Sequence, residues 1–556
     1  MLGLLGMVKS SSAQTISSHF FGENAWMPDT IGNASACTEP PCLLYGKLHK
    51  NWDNIKNSGA SIIRFGGIAA DKNMPTNYQY IKMIDSIRAK GMEPVIQVPF
   101  ANYRYTALQA ADIVHYINVT KGRHIKYWII GNEPDLGYHF TTASQVANYI
   151  RPFASAMKNA DPSILIVGPE TAWYDQAIIN GLTTPNGPDD ITGKDAAGRY
   201  YIDVISFHYY PFNGTQARTD MLTKLTAAGS LQDNLVSLNA RIASCNTAHT
   251  RTGAAALKTA ITEANVNWQN NAGDNASGLG ANSFIGGQFL AEMLGISMKN
   301  GVDFVNMWSV IEGNSTALNI GYVDAQTGIK KPTYYHFKMM ADNFKGAYTS
   351  ATDNQANVKT FASKDAQQIS VMIMNEDLAA NFSYTVSLNS AAVAGPSALK
   401  IAVNAGITGG YTDVMPAQGS VLLTFNSTTG RLIKKIEYSL TAQALANLEP
   451  VTTMYRSSDL AAIPVSGASP DFDINVYPNP TAGNLTVAMN TANEDQKTVN
   501  VEIVNLIGQL VYHKELDFKD GKEMIDLQEG IANGVYIVKV KNADKVVIRK
   551  IILERK

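Results

Sequence analysis

Two glutamates end apolar runs in places where a carboxylate is costly. Glu133 closes "IKYWIIGNE", which begins at Ile125, and Glu263 lies near the end of "LKTAITEAN", which begins at Leu257. Both runs have the composition of a buried strand, and both break into polar residues at the same point. Two carboxylates brought to one site can divide labour. One is kept protonated by its surroundings and donates a proton; the other stays ionised and attacks carbon. That pair is what cleavage of a glycosidic bond requires. Their separation in sequence does not bring them together, so the elements that carry them must.

Eight such runs occur between residues 15 and 345. They are "SHFFGENA" from Ser18, "SIIRFGG" from Ser61, "PVIQVPF" from Pro94, "IKYWIIGNE", "ILIVGPE" from Ile164, "YIDVISFHYY" from Tyr201, "LKTAITEAN" and "VDFVNMWSV" from Val302. Near-continuous apolar runs fit parallel strands covered on both faces. Between them lie amphipathic stretches such as "YQYIKMIDSIRAKG", with Ile81, Ile84 and Ile87 at helical spacing and a glycine stop. Eight alternations of strand and helix predict an α/β fold, a (β/α)8 barrel over residues 15–345. Reactive side chains then belong at the C-terminal strand ends. Those positions hold Arg64 on strand two, Asn132 and Glu133 on strand four, Glu170 on strand five, His208, Tyr209 and Tyr210 on strand six, Glu263 on strand seven and Trp308 on strand eight.

The chain has 556 residues, enough for two to four domains. Its formal net charge of -2 provides no basic footprint for nucleic acid. No apolar run is long enough for a membrane-spanning helix. The opening "MLGLLGMVKSSSAQ" has the small apolar stretch and small-polar end of a signal-peptide remnant over residues 1–14. After Ala351 the texture shifts to short β-rich runs separated by turn residues, which predicts an antiparallel β-sandwich over 346–456. A linker of small residues and proline covers 457–472, and a further all-β unit occupies 473–556. "CTEPPC" places Cys37 and Cys42 at a spacing open to either a small disulfide loop or two free thiols, leaving Cys245 over. No Cys/His spacing resembles a metal site.

With these strand ends in order, the barrel resembles the clan A superfamily of retaining glycoside hydrolases. The features that carry the resemblance are "GNEP" at strand four, "ITEAN" at strand seven, Arg64 on strand two, His208-Tyr209-Tyr210 on strand six and Trp308 on strand eight. The resemblance implies Glu133 as general acid/base and Glu263 as nucleophile. It implies that Asn132 bonds the sugar hydroxyl beside the reacting carbon, that Arg64 and Tyr210 orient Glu263, and that Trp308 offers its face to a sugar ring. It also implies a sandwich built in part from a strand preceding the barrel. The segment from "DINVYPNPTAGNLTV" to the Lys/Arg-rich end resembles the C-terminal sorting domain of the type IX secretion system, which implies export through that machinery to the medium or the cell surface.

The expectation is a secreted endo-β-glycanase for plant or algal β-glucan, mannan or xylan, monomeric and without cofactor or metal. An exo-acting glycosidase or glucuronidase of the same clan is the alternative enzyme. A non-catalytic polysaccharide-binding surface protein is the alternative of another class. His208 is expected to shape the site rather than transfer protons. Trp173 and Trp268 fit either sugar subsites or core. Asn102, Tyr103 and Tyr105 are weaker subsite candidates, and Glu170 is a decoy or an auxiliary that contacts substrate. Asp135, Tyr138 and His139 either touch substrate or finish a turn, while His49, His115 and His124 show no ligand spacing.

Overall fold

Eight parallel strands close on themselves in sequence order. The computed structural model describes residues 14–25, 51–73, 75–100, 105–137, 139–269, 274–311, 320–324, 327–389, 397–455, 472–491, 498–505, 510–517, 521–542 and 545–555. The first thirteen residues of the expected signal-peptide remnant, Trp26, Cys37, Cys42, His49, Asn102, Tyr103, Tyr138 and nearly all of the expected linker lie outside these residues. The barrel strands are β1 (Phe21–Asn24), β2 (Ile62–Phe65), β3 (Glu93–Val98), β4 (Tyr127–Ile130), β5 (Leu165–Thr171), β6 (Val204–Tyr209), β7 (Lys258–Ala264) and β8 (Phe304–Met307). One main helix follows each strand: α1 (Trp52–Asn57), α2 (Asn77–Ala89), α3 (Ala107–Val114), α4 (Ala143–Ala160), α5 (Gln176–Leu182), α6 (Leu231–Ala248), α7 (Phe284–Lys299) and α8 (Pro332–Asn343).

Local chemistry starts several of these helices. Thr76, Thr106 and Thr142 each accept from the backbone N–H three residues on, and Gln79, Gln109 and Gln145 reach back in return. The three T-x-x-Q sequences are capping boxes that satisfy otherwise orphaned donors at α2, α3 and α4.

Alternation along the strands separates two layers. Ile62, Val95, Ile129, Val167, Val204, Ala260 and Phe304 form their own buried cluster inside the barrel. Ile63, Ile96, Trp128, Ile166, Ile205, Ile261 and Val305 belong to the cluster shared with the helices. Two residues further along each inward row, the polar letters within the apolar runs appear: Arg64, Gln97, Ser206, Thr262 and Asn306, all buried. The barrel interior is therefore apolar toward the strand starts and polar toward the ends. Gly22 fits the crowding between layers, because a Cβ there would lie 2.5 Å from Asn306 Nδ2 and 2.8 Å from Ile62 Cγ2.

The register shifts on three successive pairs, between Pro169 and Thr171 for β5–β6, between Phe207 and His208 for β6–β7, and between Ile261 and Ala264 for β7–β8. A bulge inserts a residue and re-aims its neighbours. Here the inserted residues are Glu170 on β5 and, on β7, Thr262 against β6 and one of Thr262 and Glu263 against β8, with His208 paired to Glu263 just past the shift.

Beyond the barrel come β9 (Ala347–Thr349), β10 (Ala351–Asp353), β11 (Val358–Lys364), β12 (Gln368–Asn375), β13 (Phe382–Ser387), β14 (Leu399–Val403), β15 (Gly410–Met415), β16 (Gly419–Asn426), β17 (Leu432–Ser439) and β18 (Val451–Met454). They form a sheet ordered β10-β14-β13-β15 and another ordered β18-β17-β16-β12-β11-β9, with a shared apolar core. One departure from the antiparallel expectation is the parallel pair β13–β14. The two strands are joined by a connection of eleven residues, long enough to return the chain in the same direction. Before the barrel, Thr15 bridges Ala347, so the incoming chain extends this layer at the β9 edge.

The larger sheet packs on the barrel through α7 and α8. In β12, Val371 and Ile373 face the sandwich core while Met372 and Met374 join the barrel cluster. This double burial explains the unbroken "ISVMIM". Helix α7 is buried on all sides from Phe284 to Met298, as a helix apolar all round must be. Gln288 on α7 donates across the junction to the carbonyls of Asn375 and Gly419, and His336 on α8 meets Ser420 Oγ at 2.9 Å.

Residues 466–556 form a separate compact unit. Its described strands make a three-stranded and a four-stranded antiparallel sheet around Ile474, Val487, Val501, Ile503, Val538 and Ile551. Among the described residues, no helix is long and apolar enough to cross a membrane.

Glu23 of β1 is fully buried on the outward face and accepts from Ser58 Oγ at 2.5 Å. Burial pushes its carboxyl from 4.5 to about 8, against the opposing hydrogen bond. The unfolded carboxyl ionises near 4.5, whereas the folded one keeps its proton to about 8. The native state thus binds the extra proton in between, and stability falls as pH rises through that window. Glu23→Gln is expected to match the wild type below that window and to melt progressively higher as pH rises through it. Thermal melts across the range check this; a difference independent of pH would contradict it.

Candidate active site

Arg64 stands at the centre of the polar layer with its side chain wholly buried. Nη1 donates to Asn24 Oδ1 at 3.0 Å and Glu263 Oε1 at 2.7 Å. Nη2 donates to Asn132 Oδ1 at 2.8 Å, Glu170 Oε2 at 2.9 Å and, more weakly, Gln97 Oε1 at 3.4 Å. These acceptors come from β1, the end of β4, β5, β7 and β3. Gln97 is itself held by Asp71 Oδ1 at 2.6 Å and accepts from Gly67 N–H at 2.7 Å. Asp71 also receives the backbone N–H groups of Phe100 and Asn132, and burial raises its carboxyl to about 7 despite these donors.

Glu263 accepts from Arg64 on one oxygen and from the Tyr210 hydroxyl on the other, at 2.8 Å, with His208 Nδ1 3.6 Å from that second oxygen. Burial raises the Glu263 carboxyl, and the charge of Glu133 adds to this; His208, Arg64 and Tyr210 act to lower it. Among the described residues, Glu133 has one such partner, His208 Nδ1, at 3.0 Å from Oε1. Its backbone sits at φ 44°, two residues after Gly131 at φ 69°, and its N–H donates to the Glu170 carbonyl at 2.9 Å. A Cβ on Gly131 would stand 2.9 Å from Phe100 Cβ. The "GNEP" turn therefore uses left-handed backbone twice to swing Glu133 over the barrel mouth. For Glu133 this conformation costs on the order of 1 kcal/mol.

His208 lies between three carboxylates. Burial opposes its charging, but Glu263, Glu133 and Glu170 outweigh burial and push its pKa up to about 10. Glu170 is the reverse case. Burial raises it, and Arg64, His208 and Ser206 outweigh that and hold it at about 2. One oxygen of Glu133, one of Glu263 and a ring nitrogen of His208 lie within 4.8 Å of one another. Such a trio has the donor atoms for a cation. Arg64 and a charged His208, however, already supply positive charge to both carboxylates, which is the balance of an acid–base site.

The remaining sequence candidates separate by exposure. Asn132 is buried and Trp308 partly so. A Cβ on Gly67, whose φ is 94°, would lie 2.9 Å from the Trp308 ring and 3.7 Å from Glu263 Oε1, so this indole lies beside the carboxylate. Trp173 and Trp268 are 49% and 51% exposed, which removes the core alternative for both. Trp173, Tyr174, Tyr209, Tyr210 and Lys224 help to line a cleft of about 330 Å³ beside Glu263's tyrosine partner. Tyr105 packs against the core.

Of the two readings of Glu170, contact with substrate does not fit its burial, since its side chain is wholly enclosed. Asp135, in the short helical turn Pro134–Gly137, ties that turn to the chain after β5 by accepting from Ala172 N–H at 2.9 Å, and burial raises it to about 6. His139 is exposed. Asn24, Gln97, Asp71, Ser206 and Thr262 were not singled out in the sequence. Four of the five are polar letters in strand runs, a signal that was present.

Residues 475–554 match the family of secretion system C-terminal sorting domains. The segment is a type IX sorting domain and marks a protein that is secreted or held at the cell surface. No curated protein matches the chain. Among solved structures, the chain is similar to CelM2, a bifunctional glucanase-xylanase from a metagenome library. Identity is 16%, the TM-score is 0.49, and coverage is 74% of this chain and 96% of that one. A family 44 xyloglucanase from Paenibacillus polymyxa aligns at 14% identity with a TM-score of 0.48, over 74% of this chain and 97% of that one. The bacterial orthologue of human α-L-iduronidase aligns at 11% identity and 0.48, over 97% and 98%.

Removing one partner of a buried ion pair leaves the other charge uncompensated, at a cost of about 3–5 kcal/mol. Arg64→Met is expected to lose stability in that range, because Glu170 and Glu263 both lose their guanidinium. Arg64→Lys is expected to recover only part, since one ammonium cannot span five acceptors. Urea unfolding of the two variants checks both; equal stability of Arg64→Met and wild type would contradict the assignment.

Proposed function

We propose that the chain is a secreted glycoside hydrolase that acts by double displacement with retention of configuration. The observation that carries this is the pair Glu133 and Glu263 at the ends of β4 and β7, with one oxygen of each within 4.8 Å of the other. Retaining enzymes hold their carboxyl groups about 5–5.5 Å apart, and inverting ones leave room for a water at about 6.5–9.5 Å.

The donors support one assignment of roles. Two like charges so close do not both ionise cheaply, so the carboxylate with more positive partners keeps the charge. Among the described residues, Glu263 has the charged Arg64, the neutral donor Tyr210 and, more distantly, His208, whereas Glu133 has His208. Glu263 is therefore the nucleophile and Glu133 the acid/base. In the first step Glu133 gives its proton to the glycosidic oxygen. The C–O bond breaks with its electron pair going to that oxygen, and Glu263 bonds to the sugar carbon. In the second, Glu133 takes a proton from water, whose oxygen displaces Glu263. Asn132, its carbonyl held by Arg64, directs its amide to the neighbouring sugar hydroxyl, a bond that strengthens as charge develops. Trp308 supports the ring at the reacting position.

The substrate we propose is a plant or algal β-glycan, cut internally. Two exposed tryptophans suit stacking along an extended chain, and export places the enzyme where polymers too large for import are found. An exo-acting enzyme would release one small product from the start of the reaction, whereas internal cutting gives a ladder of oligosaccharides.

Glu263→Ala is expected to abolish turnover while keeping glycan binding, and Glu133→Gln to lower kcat by about 10²–10⁴ on unactivated substrates. Equal activity in Glu263→Ala would defeat the assignment, whereas glycan binding without turnover in the wild type would favour a binding protein. Proton NMR of the first product is expected to show the anomeric configuration of the substrate; an inverted product would defeat the double displacement.

A further inference from the structure

We infer that Glu170 is a positioning residue for proton transfer, acting on Glu133 through His208; this rests on the glycosidase reading above. Glu170 is the extra residue of the β5–β6 bulge, at φ 62°. Substrate cannot reach its enclosed side chain. Oε1 accepts from Ser206 Oγ at 2.5 Å and Thr262 Oγ1 at 2.7 Å. Oε2 faces Arg64 Nη2 at 2.9 Å and His208 Nε2 at 3.4 Å. Its carbonyl takes the Glu133 N–H. One buried residue thus touches the backbone of the acid/base, the ring that contacts the acid/base carboxyl, and the guanidinium that holds the nucleophile. The two hydroxyls lock its orientation.

The consequence is a charge balance. His208 is faced by Glu133 from the end of β4, Glu170 from β5 and Glu263 from β7. Arg64 of β2 stands behind two of these carboxylates, Tyr210 binds one, and Asp135 lies further out. Two cations, Arg64 and His208, are matched by two anions, Glu170 and Glu263. Glu133 is then the neutral member that carries the transferable proton. With the Glu170 charge deleted, the cluster holds one excess positive charge. The proton on His208 then binds less tightly and is lost at lower pH, which withdraws the ring's positive charge from Glu133. A carboxylate that only filled space would leave proton affinities where they were.

The test is the pH profile of kcat/KM for wild type, Glu170→Gln and Glu170→Asp. The basic limb is expected to move down by about one pH unit or more in Glu170→Gln. Glu170→Asp, which withdraws the charge from His208 without removing it, should shift the limb less in the same direction, and it serves where Glu170→Gln does not fold. A lower kcat or melting temperature with the limb unmoved would overturn the inference. The second readout needs no turnover: NMR titration of the His208 ring, identified by its loss in His208→Asn. Its midpoint is expected to fall in both Glu170 variants. An unchanged midpoint overturns the role of Glu170 and leaves the glycosidase reading standing. Absence of wild-type hydrolysis on any glycan defeats that reading and leaves the ring titration to decide the coupling.

Discussion

A single guanidinium ties the barrel mouth together. Five acceptors surround Arg64, supplied by five strands or strand ends, so those ends meet where one planar fork of donors can serve them all. Burying this charge is affordable only with its carboxylates present, and burying Glu170 and Glu263 only with Arg64 present. The constraint is mutual and therefore geometric: a shift of any one strand end leaves a charge unpaired in a water-poor interior. The carboxylates at the barrel mouth inherit their positions from this condition.

The backbone bends to satisfy it. Regular parallel pairing would alternate side chains strictly, and it would not bring Glu170, His208 and Glu263 to one level. Bulges on three successive strand pairs, with left-handed backbone at Glu133 and Glu170, break the alternation where the polar cluster needs it. Local strain at these residues is held by the ion pairs above and by the apolar layer beneath, where Ile62, Val95, Val167 and Phe304 pack.

The sandwich contributes at a distance. Helices α7 and α8 lie between it and the strands that carry Glu263 and Trp308. They are buried because the six-stranded sheet covers them. At Gly295, a Cβ would stand 2.3 Å from the Phe361 ring, so sheet and helix approach closely there. The barrel and the sandwich thus share one apolar cluster, whereas the sorting domain has its own core and its own compact unit.

What the amino-acid sequence determined by itself was everything carried by short-range pattern. Eight apolar runs alternating with amphipathic ones specify a closed parallel barrel, because strands buried on both faces need helices outside and a closed wall within. Placing Arg64, Asn132, Glu133, His208, Tyr210, Glu263 and Trp308 at strand ends followed from that, and so did the β-rich layer and the sorting tail. What the tertiary structure decided was which of these residues meet, and through what. Glu170 and Glu133 look equivalent as letters at strand ends. A one-residue bulge turns Glu170 down into the charge network, and a left-handed turn lifts Glu133 above it. Asn24, Gln97, Ser206 and Thr262 are polar letters in strand runs and become partners only when the sheet closes. Period-two alternation tells which face a residue takes, but not the stagger between strands separated by helices and long loops. That stagger, fixed by closure of the barrel around one buried arginine, sets the distances on which the chemistry depends.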